Sequence, residues 1–174
     1  ISYLQNIGYK NISFFDLNQP GEIDFKPDVI IFAETLEHLM NLGIALSSLK
    51  GLMNEKTELI ITVPNSTGLS SVLGGLIGRN REHADHKVSF SYFTLKQLLI
   101  FNKFVVNDIF LAGELNIGHS YSHRKKTISH TLLKGVYHTI YMPFIYKPII
   151  NIFPLFSECL IITCSFGQVK KVIK

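Results

Sequence analysis

The sequence predicts an α/β fold in which helices cover a largely parallel sheet. Short apolar runs alternate along the chain with segments whose apolar residues repeat at helical spacing, an alternation typical of βαβ units. The chain has 174 residues, of which 47% are hydrophobic and only 17% are charged. That length and composition favour one domain with a large core, and they exclude a disordered or nucleic-acid-coating segment.

The first half of the chain predicts three strands and one helix. Residues 11–16 form the first strand, before a turn at Pro20–Gly21, and residues 28–32 form a second whose apolar run indicates burial on both faces. Residues 58–63 form the third, and residues 66–89 are a long connection rich first in glycine and serine and then in charge. Between the second and third strands, four apolar side chains make one helical stripe: Leu42, Leu46, Leu49 and Met53.

The second half predicts one more helix and two more strands. Thr94 and Gln97 fit a capping box, in which the Thr hydroxyl accepts from the third helical amide while Gln reaches back to the cap. Residues 104–111 form a fourth strand and residues 158–166 a fifth, separated by a proline-interrupted, aromatic-rich segment. The helix is expected to bury four apolar side chains: Leu95, Leu98, Leu99 and Phe101.

The net charge and the two cysteines indicate which kind of partner and which cellular compartment to expect. The net charge of +4 is mild, and the one tight basic cluster, residues 124–126, is typical of a solvated loop rather than of a nucleic-acid surface. Cys159 and Cys164 are five residues apart on one predicted strand, so they face opposite sides and cannot pair. We expect reduced thiols in a cytoplasmic protein. No segment reaches the roughly 18 uninterrupted apolar residues of a membrane span.

Three motifs in a fixed order carry a resemblance to a known family. They are DVIIFAETLEHL at residues 28–39, IITVPN at residues 60–65 and DHKVSFS at residues 85–91. Together they resemble the second half of the class I S-adenosylmethionine-dependent methyltransferases, in particular the type 11 and type 12 enzymes and the ubiquinone-biosynthesis O-methyltransferases. The resemblance covers residues 1–112, fades after them and returns at the last predicted strand.

The resemblance implies a Rossmann-like methyltransferase fold, which is doubly wound and mostly parallel with an antiparallel last strand. It implies that residues 1–174 form a single methyltransferase domain lacking its first βα units, because the family's acidic residue and glycine-rich cofactor loop would precede Ile1. The 174-residue chain by itself is therefore expected to bind S-adenosylmethionine weakly and to be inactive. Residues 113–157 would be a variable insertion on the acceptor side.

By the same resemblance, S-adenosylmethionine is the cofactor, and residues that follow two of the strands contact it. The carboxylate of Asp16 would bind the adenine amino group beside the amide of Leu17, and Phe32, Ala33 and Glu34 would line the methionine part. Asp16 and the corner at residues 32–34 are then expected within about 15 Å of each other. Two plainer interpretations stay open: Asp16 only begins a turn, and Glu34 only complements a helix dipole.

Two histidines are the candidate catalytic bases. Methyl transfer is an in-line displacement, so an enzyme mostly aligns the reactants, but a hydroxyl acceptor must also lose a proton. His38 and His86 are the candidates for that step, since both fall on the cofactor side of the sheet. No metal is expected. The alternative is that Glu34, Glu37, His38 and His86 hold Mg²⁺, Mn²⁺ or Zn²⁺, as a similar set does in small-RNA 2′-O-methyltransferases.

The function that these features favour is O-methylation of a small-molecule or glycan hydroxyl, without a nucleic-acid partner. One alternative is a non-catalytic fragment or degenerate homologue that serves as a binding or membrane-surface module. Another is a metal-dependent RNA ribose 2′-O-methyltransferase, although no base-stacking surface is evident. Within residues 127–156 an apolar helical stripe either packs in the core or rests on a membrane as a peripheral contact. That stripe consists of Ile128, Leu132, Val136 and Ile140.

Overall fold

The structure is a computed structural model, and it describes residues 2–12, 14–17, 26–78, 83–112, 144 and 146–166. The predicted turn at Pro20–Gly21, the basic cluster at 124–126 and most of the predicted insertion, with its apolar stripe, lie outside this part of the chain. In chain order the elements are α1 (Ser2–Asn6), β1 (Val29–Ala33), a 3₁₀ turn (Leu36–His38), α2 (Leu42–Leu52), β2 (Glu58–Pro64), α3 (Leu69–Leu76), α4 (Tyr92–Phe101), β3 (Val105–Ala112), α5 (Lys147–Ile152), a second 3₁₀ turn (Pro154–Phe156) and β4 (Cys159–Ser165).

The four described strands form one mixed sheet in the order β1-β2-β4-β3. β1 pairs with β2 in parallel, and β4 pairs antiparallel with both β2 and β3. The three earlier strands therefore run in one direction, and the last strand lies reversed between two of them. This arrangement confirms the α/β class and the expectation of an antiparallel last strand. The doubly wound layering stays a prediction.

The core forms where both main helices meet one face of the sheet. Along β2 every second side chain is buried, namely Leu59, Ile61 and Val63, and β4 adds Leu160 and Ile162 opposite them. These side chains pack in one cluster with the apolar stripes of α2 and α4, which include Leu46, Leu49, Leu95 and Leu99. Burial at about 25 cal/mol per Å² of apolar surface is the main stabilising term for such a layer. The predicted stripe from Leu42 to Met53 is confirmed.

The predicted first strand, residues 11–16, is wrong for its described residues 11, 12 and 14–16. A strand needs a hydrogen-bonded neighbour, and the described residues there make no ladder with β1. Phe14, a large apolar side chain within that range, is 80% exposed. The prediction that residues 28–32 are buried on both faces is also wrong, because Val29 and Ile31 are 49% and 70% exposed. Among the described residues, only one face of β1 is covered.

Two further expectations about local structure need correction. Residues 66–89 are not simply a connection, since they contain α3, Leu69–Leu76. The capping box of α4 is formed by Ser91 and Thr94, one turn earlier than predicted. Phe101 is 84% exposed, because at helical spacing it falls on the face opposite Leu95 and Leu99.

No helix in the described part of the chain is both long and apolar enough to cross a membrane.

Candidate active site at the carboxyl ends of β1 and β2

Glu34 makes a fixed corner directly after β1. Its φ of 46° lies in the left-handed region, which costs a non-glycine residue on the order of 1 kcal/mol and persists only where neighbours impose it. Here the neighbour is Thr62 of β2. The Glu34 amide donates to the Thr62 carbonyl at 2.9 Å, and the Thr62 hydroxyl donates to Glu34 Oε1, also at 2.9 Å. Cys159 Sγ lies 3.9 Å from the same carboxylate oxygen. The corner is therefore tied to the adjacent strand.

Glu37 is the unusual residue of the site, because its side chain is only 2% exposed. Carboxylates are rarely buried unless they are paired. Neither carboxylate oxygen has a hydrogen-bond partner among the described residues. Burial raises the pKa of Glu37 above its usual range, and the negative charge of Glu34 raises that pKa further.

The backbone of Glu37 holds the loop that carries His86. Its carbonyl accepts from the amides of Lys87 and Val88 at 2.7 and 3.2 Å. The same loop is held against β2 a few residues later, where the Ser66 amide donates to the Phe90 carbonyl at 2.7 Å. Two separate backbone anchors thus position residues 86–90 above the carboxyl ends of β1 and β2.

His38 and His86 face each other across this site. Their ring centroids are 4.9 Å apart in an edge-on arrangement. His38 Nδ1 lies 3.3 Å from the carbonyl oxygen of Asp85, and its Nε2 lies 3.7 Å from Glu37 Oε1. Potential ligand atoms of Glu37, His38 and His86 all lie within 4.8 Å of one another. The structure thus brings the two predicted bases together with a buried carboxylate.

A small pocket adjoins this cluster, and three of its six polar lining residues are serines. Its polar lining residues are Glu37, Asn65, Ser66, Ser71, His86 and Ser89. Asn65 is buried and fixed, since its Nδ2 donates to the carbonyls of Leu155 and Ser157 at 2.8 and 2.7 Å. Sequence reasoning named Asn65 only within the IITVPN motif and assigned no role to it or to the three serines.

The other predicted site residues are less closely grouped. Glu34 does not share a helix with Glu37 and His38, because it precedes the 3₁₀ turn, and its carboxylate accepts a hydrogen bond from the Thr62 hydroxyl. Leu17 packs against the core cluster that contains Phe32, and its carbonyl accepts from the Ser48 hydroxyl. The spacing between Asp16 and the Phe32–Glu34 corner stays a prediction.

No protein-family model matches this sequence, and no curated protein matches it. Solved structures do. An S-adenosylmethionine-dependent methyltransferase from Clostridium acetobutylicum matches at a TM-score of 0.55 and 12% identity, covering 96% of this chain and 69% of its own. A protein of Bacillus halodurans assigned as a methyltransferase matches at a TM-score of 0.59 and 10% identity, and the match covers 96% of this chain and 77% of that protein. Magnesium protoporphyrin IX methyltransferase from Synechocystis, solved with bound S-adenosylhomocysteine, matches at a TM-score of 0.51 and 13% identity. That match covers 95% of this chain and 57% of the enzyme.

These likenesses show the fold. The chain has the α/β fold found in S-adenosylmethionine-dependent methyltransferases, and it spans less than two thirds of the length of the Synechocystis enzyme.

Proposed function

We propose that this chain belongs to an S-adenosylmethionine-dependent methyltransferase, of the type 11 or type 12 kind, that methylates a hydroxyl of a small molecule or glycan. The observation that carries the proposal is the placement of the Phe32–Glu34 corner and the His38–His86 pair at one edge of a methyltransferase-like sheet. In open α/β sheets, ligands bind beyond the carboxyl ends of the strands.

The cofactor side fits this proposal. Phe32 is buried, while Ala33 and Glu34 after it are exposed at the end of β1. A ligand lying there would meet a backbone that Thr62 holds in place, so little ordering entropy would be lost on binding. Asp16 and Leu17 would take the adenine end. S-adenosylmethionine, when bound, supplies a methyl group on a positively charged sulfur.

The acceptor side would be the hydroxyl-lined pocket. The side chains of Ser66, Ser71 and Ser89 can donate to and accept from an alcohol, which suits a sugar or a polyol better than an apolar substrate. The contact between His38 Nδ1 and the Asp85 carbonyl favours the tautomer whose Nε2 carries a lone pair. That nitrogen is then available to take a proton from the acceptor hydroxyl.

The cofactor site can be tested by titrating the isotopically labelled chain with S-adenosylmethionine in the millimolar range and following amide shifts by NMR. We expect shifts at Ala33 and Glu34, and we expect Glu34→Gln to weaken binding. Glu55→Gln, at an exposed position far along the chain, is the matched control. Shifts confined to other parts of the sheet, or none at all, would contradict the proposal. Titration of the labelled chain with a panel of glycans and phenols, followed by amide shifts in the same way, then tests the acceptor class, and we expect shifts at Ser66 and Ser89 with the glycans.

A further inference from the structure

The buried carboxylate of Glu37 requires a partner that the described protein groups do not supply. Its side chain is 2% exposed, and neither oxygen accepts a hydrogen bond in the described part of the chain. The basic nitrogen His38 Nε2 is 3.7 Å from Oε1, which is beyond hydrogen-bond length. Burying an unpaired carboxylate is strongly unfavourable, so such a group is expected to bind either a proton or a cation.

The neighbours of Glu37 are the side chains that bind transition metals. Ligand atoms of Glu37, His38 and His86 lie within 4.8 Å of one another. In a filled tetrahedral site with bonds of about 2.0 Å, ligand atoms are about 3.3 Å apart, so a shift on the order of an ångström would complete the site. Glu37 and His38 are already 3.7 Å apart at their nearest atoms.

The surroundings of His38 also match a metal ligand. A ligating histidine usually donates its second ring N–H to a carbonyl or carboxylate, which fixes the tautomer and turns the other nitrogen to the ion. His38 Nδ1 lies 3.3 Å from the Asp85 carbonyl, and Nε2 points toward Glu37. The backbone bonds from Lys87 and Val88 to the Glu37 carbonyl hold the third ligand, His86, in place.

We propose that Glu37, His38 and His86 bind one divalent metal ion, with Zn²⁺ the best match to one carboxylate and two imidazoles. Catalytic zinc sites keep three protein ligands and an open position. Here the open position faces the hydroxyl-lined pocket, because Glu37 and His86 also line that pocket.

The use of this ion rests on the proposed function. An acceptor hydroxyl bound at the open position would have its pKa lowered by the metal, as bound water does. Its proton passes to water, the oxygen forms a bond to the methyl carbon, and the sulfur–carbon bond breaks to leave neutral S-adenosylhomocysteine. His38 and His86 then act as ligands and not as bases.

The test is a titration of the chelator-treated, metal-free chain with Co²⁺, whose visible absorption reports coordination, followed by competition with Zn²⁺. We expect one equivalent to bind to the wild-type chain. Glu37→Gln and His38→Gln, both close in size to the native residues, should each weaken binding by at least about 100-fold. Circular dichroism of each metal-free variant checks that it is folded.

His83→Gln is the matched control, because His83 is close by yet outside the three-residue set. Its ring centroid is 5.6 Å from that of His86. We expect its Co²⁺ affinity to stay within about threefold of the wild type, a difference below 1 kcal/mol. A wild-type chain that takes up no Co²⁺ or Zn²⁺, or a His83→Gln variant as weakened as His38→Gln, overturns the proposal.

The two proposals can fail separately. If S-adenosylmethionine shifts the Ala33 and Glu34 amides of the metal-free chain but no metal binds, the methyltransferase proposal stands and the metal site is overturned. If Co²⁺ binds through Glu37 and His38 but S-adenosylmethionine does not bind, the metal site is supported and its role in methyl transfer is overturned.

Discussion

The carboxylate of Glu158 accepts hydrogen bonds from both the backbone amide and the hydroxyl of Ser70. The residue just before β4 therefore caps the first turn of α3, whose own N-cap, Gly68, has no side chain to do so. A negative charge at this end also complements the helix dipole. Through this contact the last strand fixes the helix that contributes Ser71 to the pocket.

Gly68→Ala should destabilise the protein by roughly 1–3 kcal/mol, the usual cost of overpacking. A Cβ at this position would lie 2.8 Å from Glu158 Oε2 and 3.0 Å from the Asn65 carbonyl oxygen. Gly75→Ala, in the same helix, is the control, since no atom of the described residues outside the helix's own backbone lies within 4 Å of an added Cβ. There, helix propensity should stabilise the protein by up to about 1 kcal/mol. Urea unfolding measures both, and equal effects would contradict this packing.

Asn65→Asp should cost about 2–4 kcal/mol at neutral pH. It replaces a side-chain N–H₂ that donates to the Leu155 and Ser157 carbonyls by an oxygen that repels both. Asn54→Asp is the control, because Asn54 is exposed and its Oδ1 already accepts from the Lys56 amide. Thermal melts of the two variants measure the loss of stability. If Asn65→Asp lowers the melting temperature no more than Asn54→Asp does, this buried network is not formed.

The stability of the protein should fall above pH 9, in part through Cys164. Burial raises the pKa of this thiol from 9.0 to about 12, so the folded chain keeps its proton while the unfolded chain loses it. The stabilisation is complete below the unfolded pKa and is lost as the pH rises toward the folded one. From pH 8 to pH 10 the loss is roughly 1 kcal/mol.

Cys164→Ala isolates this contribution, because alanine does not titrate. Its constant packing cost cancels when the wild-type and variant free energies of unfolding are compared at several pH values. The gap between them should narrow from pH 8 to pH 10. A gap that stays constant would show that the thiol ionises equally in both states.

Ser91→Ala should destabilise α4 by about 1 kcal/mol, while Gln97→Ala should have little effect. Ser91 accepts from the Thr94 amide at 3.2 Å, and its own amide donates to the Thr94 hydroxyl at 2.9 Å. Chemical denaturation gives the free energy of unfolding of both variants, and it distinguishes this cap from the one that Thr94 and Gln97 would make. A larger loss of unfolding free energy in Gln97→Ala than in Ser91→Ala would show that the helix begins at Thr94 instead.

The sequence alone was ambiguous about which residue caps α4. Two overlapping patterns, Ser91 with Thr94 and Thr94 with Gln97, each fit a capping box, and local spacing does not choose between them. By contrast, the stripe on α2 and the position of β2 were predictable, because each depends only on residues within the element.

The site was harder to predict because it depends on contacts between distant segments. His38 and His86 were both expected on the cofactor side, which follows from strand direction alone. The burial of Glu37 was not expected, since it results from a loop about 50 residues later that donates two amides to the Glu37 carbonyl. The left-handed conformation of Glu34 depends in the same way on Thr62 across the strand pair.

The position of β4 has a consequence for the order of folding. β3 joins the described sheet only through β4, and β2 has β4 on one side, although the three strands are spread over more than 100 residues of sequence. During synthesis, β2 and β3 emerge from the ribosome with their facing edges unpaired until Cys159–Ser165 follows. Pairing at such a long sequence separation folds slowly. In the interval the two open edges are the surfaces that a chaperone would have to protect from other chains.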